Sequence, residues 1–421
     1  MAPSTKGLGK GPQSSPQKTQ LTRVTRFDFE VEKALHSRGL KIRRNLLSDV
    51  LELHEPDGIT AMNDDILAEI RFSLIWAQNG QEPAKDKVAD AISLIGKRNS
   101  YHPVRDYLAA LVWDGVPRID TWLIDYAGAT DTSLNRAIGR KILCAAVRRV
   151  RQPGCKFDQV CVLMGPQGIM KSSLVKALCS SKDWFTDQLK IGLGAKETIE
   201  ISSGAWIVEL AELDGMGRKE SNAIKSFVST EIDTARLAYG RYKTERARQF
   251  ILFGTTNEGR FLSDLTGNRR WWVVDVIHCN VVGLSTVRDQ LWAEAAALEK
   301  EELLWLNDDG LLNDAALAAK GAQDFGPWFD MLAGLIPDGS IKIAVADLWG
   351  MVGIKNDDIN KVSAAHRLNL VKALSGLGFD TEVKVTRRNS KSTRCYTRGI
   401  GPWWCYGDAD PPDGPVEEHL W

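Results

Sequence analysis

The sequence predicts an α/β fold with a mostly parallel central sheet, and three observations predict it. Short uninterrupted apolar runs alternate with helical stretches through the middle of the chain. One of these runs leads into a glycine-containing loop that ends in Lys-Ser and opens a helix. The 421 residues exceed what one compact core accommodates, so smaller units are expected on either side of that layer.

Taken in order, residues 1–25 are rich in Gly, Pro, Ser, Gln and Lys and are expected to form a disordered, mildly basic tail. Residues 26–130 are expected to be a helical region, because 64–77 and 104–113 carry apolar residues at helical spacing. Asp114-Gly115-Val116-Pro117 reads as a turn within it. The core is expected over 131–310. It opens with a helix over 134–150, where Leu134, Ile138, Ile142, Ala146 and Val150 recur every four residues. Pro153-Gly154 ends that helix.

Four apolar runs then follow: 160–164, 205–208, 250–253 and 271–274. Unbroken apolar runs mark strands buried on both faces, as in parallel sheets. Helices over 172–180 and 219–229 separate some of them, which is the alternation of an α/β layer. A smaller unit is expected over 325–400. Helices over 344–352 and 360–377 precede Val383 and Val385 alternating with charge, a turn at Asn389-Ser390 and a returning strand from Thr393 to Thr397. Helix, helix and hairpin together predict a winged helix. Residues 401–421 are Pro- and acid-rich and are expected to be a flexible tail.

Formal net charge is zero, so any nucleic-acid surface must be local rather than global. No run of eighteen apolar residues marks a membrane helix, and the first twenty residues hold no apolar signal core. The seven cysteines form no CxxC pair. Reduced thiols in a cytoplasm are expected, and a structural zinc site is not.

The chemistry concentrates at Gly165-Pro166-Gln167-Gly168-Ile169-Met170-Lys171-Ser172-Ser173. A loop between a buried strand and a helix presents backbone N–H groups to phosphates. Lys171 is expected to reach the β- and γ-phosphates of ATP, and the Ser172 hydroxyl to ligate Mg²⁺. Met170 stands where a glycine before the lysine is usual. Its side chain is expected to point away from the nucleotide, on a backbone conformation that a non-glycine residue tolerates.

The second strand ends in Glu209-Leu210-Ala211-Glu212-Leu213-Asp214. Carboxylates at such a strand end suit a metal and an attacking water. Glu209 is expected to hold the metal through water and Glu212 to orient the attacking water, with Glu212 favoured as the catalytic acid and Asp214 behind them. Asn257, at the tip of the third strand, is placed to bond the γ-phosphate or that water. Arg269 and Arg270 follow, and one of them is expected to reach the nucleotide of a neighbouring subunit.

Two basic clusters suggest DNA. Arg236, Arg241, Lys243, Arg246 and Arg248 crowd one stretch, interleaved with Tyr239 and Tyr242. Lys384, Arg387, Arg388, Lys391, Arg394 and Arg398 form the other, with no acid between them. On a winged-helix hairpin they would follow DNA phosphates, with the helix over 360–377 in a groove.

Five ordered blocks resemble the virulence-associated protein E family of phage and mobile-element helicase domains, related to superfamily 3 helicases within the AAA+ ATPases. They are HPVRDYLAALVWDGVPRIDTWL (102–123), PGCKFDQVCVLMGPQGIMKSS (153–173), WIVELAELD (206–214), EIDTARLAYGRYKTERARQFILFGTTN (231–257) and FLSDLTGNRRWWVVDV (261–276). The resemblance implies an AAA+-like P-loop core, Lys171 and Ser172 as phosphate and metal residues, and Glu212 as the second acid. It also implies Asn257 as sensor 1, a finger from Arg269-Arg270, and a hairpin before Asn257 projecting Lys243 and its neighbours into a ring channel. The family's loop usually has glycine where this chain has Met170. Residues 1–130 hold no CxxC and no acidic catalytic cluster, so primer synthesis is not expected.

The function expected is an ATP-dependent DNA helicase or translocase of a phage or mobile element, acting in replication as a homo-oligomeric ring. Six subunits, single-stranded DNA in the channel and a primase or polymerase partner follow from the resemblance; duplex DNA is the expected ligand of the C-terminal unit. The alternative is a DNA-binding regulator or replication accessory protein that binds ATP with weak or no turnover. A small-molecule P-loop kinase would leave Asn257, the arginine pair and the wing without a role.

Overall fold

The computed structural model describes residues 26–75, 80–190, 192–211, 213, 218–236, 243–262 and 268–406. The chain divides into two compact units, Met1–His102 and Pro103–Trp421. The expected tail over 1–25, most of the tail over 401–421, and Glu212, Asp214, Tyr239, Arg241 and Tyr242 lie outside the described residues.

In the first unit, helix α1 (Arg26–His36) precedes strands β1 (Lys41–Arg44), β2 (Leu51–Glu55) and β3 (Gly58–Ala61). Helices α2 (Asp64–Ser73) and α3 (Lys85–Arg98) follow. The strands form an antiparallel meander in the order β1-β2-β3. Reading 26–130 as helical misses this sheet, and the reason is physical. The strands are four or five residues long, and β1 and β2 each bury a single residue, Ile42 and Leu53, so no alternation stands out. Ile42, Leu53, Ile70 and Val88 are all at most 6% exposed and join one small core with Val31 and Leu35.

The second unit begins with α4 (Pro103–Ala110), α5 (Trp122–Ala127) and α6 (Ser133–Arg151). The unit boundary therefore falls earlier than residue 130. Glu294 explains why, because its carboxylate accepts from the backbone N–H groups of Arg118 and Ile119 and ties this segment to the core. Burial pushes the Glu294 carboxyl above its ordinary range. The stripe predicted on α6 is buried as expected, and Arg136, Arg140 and Arg148 outside it pair with Asp131, Asp120 and Glu299.

The central layer contains β4 (Val160–Met164), α7 (Lys171–Ala177), β5 (Phe185–Thr186), α8 (Ala195–Ile201), β6 (Ile207–Leu210), α9 (Arg218–Ser229), β7 (Ile232–Ala235), β8 (Thr244–Ala247), β9 (Ile251–Thr256) and β10 (Trp271–Asp275). Five of these strands form one sheet in the order β10-β4-β9-β6-β5, with every pairing parallel. The predicted mostly parallel α/β sheet is present, and it is consistent with a P-loop core. Val160, Cys161, Val162 and Leu163 are fully buried on alternating faces. Burial of each such valine or leucine contributes roughly 1.5–3 kcal/mol. The two-residue edge strand β5 is too short to have been visible in the sequence.

Helices α10 (Val281–Leu298) and α11 (Asp309–Gly321) complete the layer. Trp206 is wedged between Trp184 and Trp292, and its indole N–H donates to Ala146 O at 2.9 Å on α6. The final segment comprises α12 (Phe329–Leu335), β11 (Ile341–Ala344), α13 (Val345–Met351), α14 (Ala364–Gly376), β12 (Lys384–Arg388) and β13 (Lys391–Arg398). Its sheet is antiparallel in the order β11-β13-β12. Asn389 and Ser390 both take positive φ, 49° and 67°, as a two-residue hairpin turn demands. No helix among the described residues is long and apolar enough to cross a membrane.

Candidate nucleotide-binding site

Parallel packing brings the carboxyl ends of β4, β6 and β9 together, and the sequence places a polar residue at each. The loop after β4 runs from Gly165 to Met170. A Cβ at Gly165 would meet Val276 O at 2.1 Å, so glycine alone fits there. Gly168 takes φ +83°. Met170 takes φ 67° and ψ 36°, in the small left-handed region that a non-glycine residue enters only at a cost. A left-handed conformation costs a non-glycine residue roughly 1–2 kcal/mol. Met170 is 55% exposed and is one of the residues bordering the cleft.

Lys171, 7% exposed, is the first residue of α7. Its ammonium donates to Gly165 O at 2.8 Å, to Pro166 O at 2.9 Å and to Asn257 Oδ1 at 2.8 Å. The loop lysine and the amide after β9 therefore touch, although 86 residues separate them. The Ser172 hydroxyl donates to Glu209 Oε1 at 2.5 Å, and the Thr255 hydroxyl donates to the same oxygen at 2.7 Å. Glu209 is fully buried, and its Oε2 has no hydrogen-bond partner among the described residues.

A buried carboxylate oxygen without a donor is costly. A divalent cation beside Ser172 would supply the missing charge, and hard oxygen donors suit Mg²⁺. Ser172 and Glu209 are therefore the residues that would hold Mg²⁺, directly or through water. Thr255 had no role in the sequence reading. Strand alternation was the available signal, since Glu209 pairs with Phe253 and Thr255 lies two residues further along the same face of β9.

Ala211 borders the cleft, which encloses about 360 Å³, and Leu213 N–H donates to Thr255 O at 3.3 Å. Cys279 also lies near Lys171. Burial raises its thiol above the ordinary value and the lysine's charge partly offsets that.

Residues 108–318, half of the chain, match the virulence-associated protein E-like domain. The chain belongs to that family. It is also similar to two solved apo structures of the NrS-1 C-terminal region. One is 12% identical with a TM-score of 0.44, covering 88% of this chain and 99% of that one. The other is 13% identical with a TM-score of 0.42, covering 89% and 100%. No curated protein matches the chain.

Within this virulence-associated protein E-like domain the two predicted finger arginines part company. Both precede β10, whose start pairs with Val160, a strand's length from the loop after Met164, or roughly 13 Å. Arg270 is held by contacts within the chain. It donates to Ser229 Oγ at 3.2 Å and lies 3.7 Å from Asp158 Oδ2. Arg269 is exposed, at the rim of an apolar cavity lined by Trp272 and Trp305.

The basic clusters divide similarly. Strands β7 and β8 pair as the flanks of a hairpin, from Ile232↔Ala247 to Ala235↔Thr244. Lys243 at its end is exposed, and Arg236 is exposed with a partner. Arg248 is not part of any exposed basic surface. It is 4% exposed, donates to both Asp233 oxygens at 2.7 and 2.8 Å, and lies 4.2 Å over Phe227. On the C-terminal hairpin, Arg388 donates to Asp347 Oδ2 at 2.9 Å and packs on Trp403, while Arg398 bonds backbone carbonyls. Lys384 pairs with Asp380. Arg387, Lys391 and Arg394 remain exposed, with no ion pair among the described residues. Val385 pairs with Arg394, so the strand pleat puts Arg387 and Arg394 on one face and Lys391 on the other.

Proposed function

We propose that the chain is an ATP-driven DNA helicase or translocase of a phage or mobile genetic element, working in replication as a ring. The observation that carries this reading is the joined pair of contacts, Lys171 with Asn257 and Ser172 with Glu209, at the carboxyl end of a parallel sheet. The order β10-β4-β9-β6-β5 inserts the Asn257 strand between the loop strand and the acid strand, which supports an AAA+-like core.

In this reading Lys171 and the loop N–H groups neutralise charge on the transferred phosphoryl group, and Asn257 positions the γ-phosphate or the attacking water. Bound Mg²⁺ supplies Lewis-acid charge to the phosphates, and Glu209 and Ser172 hold it. Glu212 polarises the water. Arg269, exposed and far from its own loop, serves the site of the adjacent subunit in a ring of heterologous contacts. Met170 in its strained conformation favours the alternative of slow turnover, which the basal rate decides.

The final segment is read as a winged helix, supported by three helices, the β11-β13-β12 sheet and a two-residue hairpin. Arg387 and Arg394 would lie along duplex phosphates. The test is ATP hydrolysis with and without single-stranded DNA, and duplex binding by wild type and by the Arg387→Ala, Arg394→Ala double variant. DNA should stimulate hydrolysis. The double variant should keep the basal rate and lower the log–log salt slope of duplex binding by about 1.8, or 0.9 per lost phosphate contact. A chain without hydrolysis is the regulator. An unchanged salt slope makes the winged unit a protein-contact module.

A further inference from the structure

The first unit contains a cavity of about 440 Å³, larger than the cleft at the P-loop. It lies where the last turns of α1 and α3 meet the start of β1, and none of its lining residues lines that cleft. Its floor is apolar, since Leu35, Ile42 and Ile95 are at most 2% exposed. Its wall is polar, and the charges of that wall divide into spent and unspent.

Glu32 is its one acid. Both oxygens are taken, one by Asn99 Nδ2 and one by Arg98 Nη2, each at 2.8 Å. Burial raises its pKa, yet these hydrogen bonds hold it below the ordinary value. The carbonyls at the helix ends are taken as well. Leu35 O accepts from the N–H groups of Arg38 and Leu40, Lys97 O from the Ser100 hydroxyl, and Asn99 O from Arg43 Nε. The cations are not spent. Lys41 is exposed, and it forms no ion pair among the described residues. The Arg43 guanidinium lies 4.0 Å over the Tyr101 ring, which fixes its plane at the cavity edge without neutralising it.

An inorganic anion would leave the apolar floor unused, and an aliphatic chain would leave the cations unused. A nucleotide uses both. Its base stacks on a fixed guanidinium plane above apolar side chains, and its phosphate meets an ammonium, which is how single strands are held without duplex geometry. We propose that this cavity takes one nucleotide of a single strand, with the base against Arg43 and the phosphate at Lys41. The proposal rests on the reading that the chain works on DNA.

The full chain is titrated with a fluorescent oligothymidylate over a range of salt. Lys41→Glu should weaken binding and lower the salt slope by about 0.7, the single-strand value for one phosphate. Arg43→Lys keeps the charge and loses the plane, so it should leave the slope alone and cost at least about fivefold in affinity. Both variants should retain the basal ATPase; Lys41→Glu should retain the wild-type melting temperature, and Arg43→Lys, which gives up the Tyr101 ring and the Asn99 carbonyl, should melt slightly lower. Bromouracil-substituted strands should photocrosslink within 26–102. If wild type binds the strand while both variants match it and no adduct falls there, the cavity is not a strand site and the DNA reading stands. If wild type does not bind the strand, both fail together. If thymidine monophosphate at equal nucleotide concentration protects the cavity from crosslinking as well as the strand does, the ligand is a free nucleotide and the single-strand assignment falls.

Discussion

The two ends of the central sheet treat their charged residues in opposite ways. At the carboxyl end, Lys171 is bound to Asn257, Ser172 and Thr255 are bound to Glu209, and the buried Glu209 Oε2 lacks a partner among the described residues. At the amino end, Arg270 is held by Ser229 and Asp158, while Arg269 beside it is exposed. In the proposed ring, groups that serve their own subunit's nucleotide would be prearranged by buried strands, and a group that serves a neighbour would stay exposed in the single chain. On that proposal the contrast separates two adjacent arginines that sequence alone treats as equivalent.

The largest effects test whether the ends work together across subunits. Lys171→Ala should lower ATP turnover by roughly 10²–10³-fold, as loss of one preorganised donor does. Arg269→Ala should cost roughly 10³-fold or more if it acts as a finger. Mixing the two inactive variants is the sharper measurement. With random assembly in a ring, about a quarter of interfaces join an intact Lys171 to an intact Arg269, so turnover should return to about that fraction. No recovery on mixing would place Arg269 outside the neighbour's site.

Arg270→Ala should behave differently. Its contacts are within the subunit, so the loss should appear mainly as stability, about 1–2 kcal/mol from a partly buried charged hydrogen bond. Thermal melting reads it directly. A variant that melts like wild type but loses turnover as Arg269→Ala does would reverse the assignment of the two arginines.

Much of this was legible in the chain, and the reasons differ by residue. Val160–Met164 announces a strand because a central parallel strand has no polar face to hide, and 271–275 announces another for the same reason. The Lys-Ser loop is legible because its context is local. Contacts between strands were harder. That Thr255 donates to Glu209 depends on β6 and β9 lying side by side, which sequence order conceals because a helix and a hairpin intervene. Charge counts misled most. Arg248 and Arg388 look like members of basic surfaces, yet Asp233 and Asp347, distant in sequence, neutralise them. The meander of the first unit was missed because its strands bury too little for a pattern to form.

The smallest effect belongs to Met170, the one residue of the prearranged end that is itself strained. Its φ of 67° lies where glycine is at ease and a side chain is not. Met170→Gly removes roughly 1–2 kcal/mol of left-handed strain in the folded chain. It also gives the unfolded chain more freedom, which takes back about 0.5–1 kcal/mol. The melting temperature should therefore rise slightly or hold. Because the exposed Met170 side chain borders the cleft without bonding Lys171, ATP affinity should be retained and turnover should hold or increase up to severalfold. Equilibrium binding of a non-hydrolysable ATP analogue, measured beside the steady-state rate, separates the two. A glycine variant that no longer binds nucleotide would mean that the methionine fixes the loop in its binding shape. The strain would then serve the site, and the carboxyl end of the sheet would owe its order to the loop as much as to its strands.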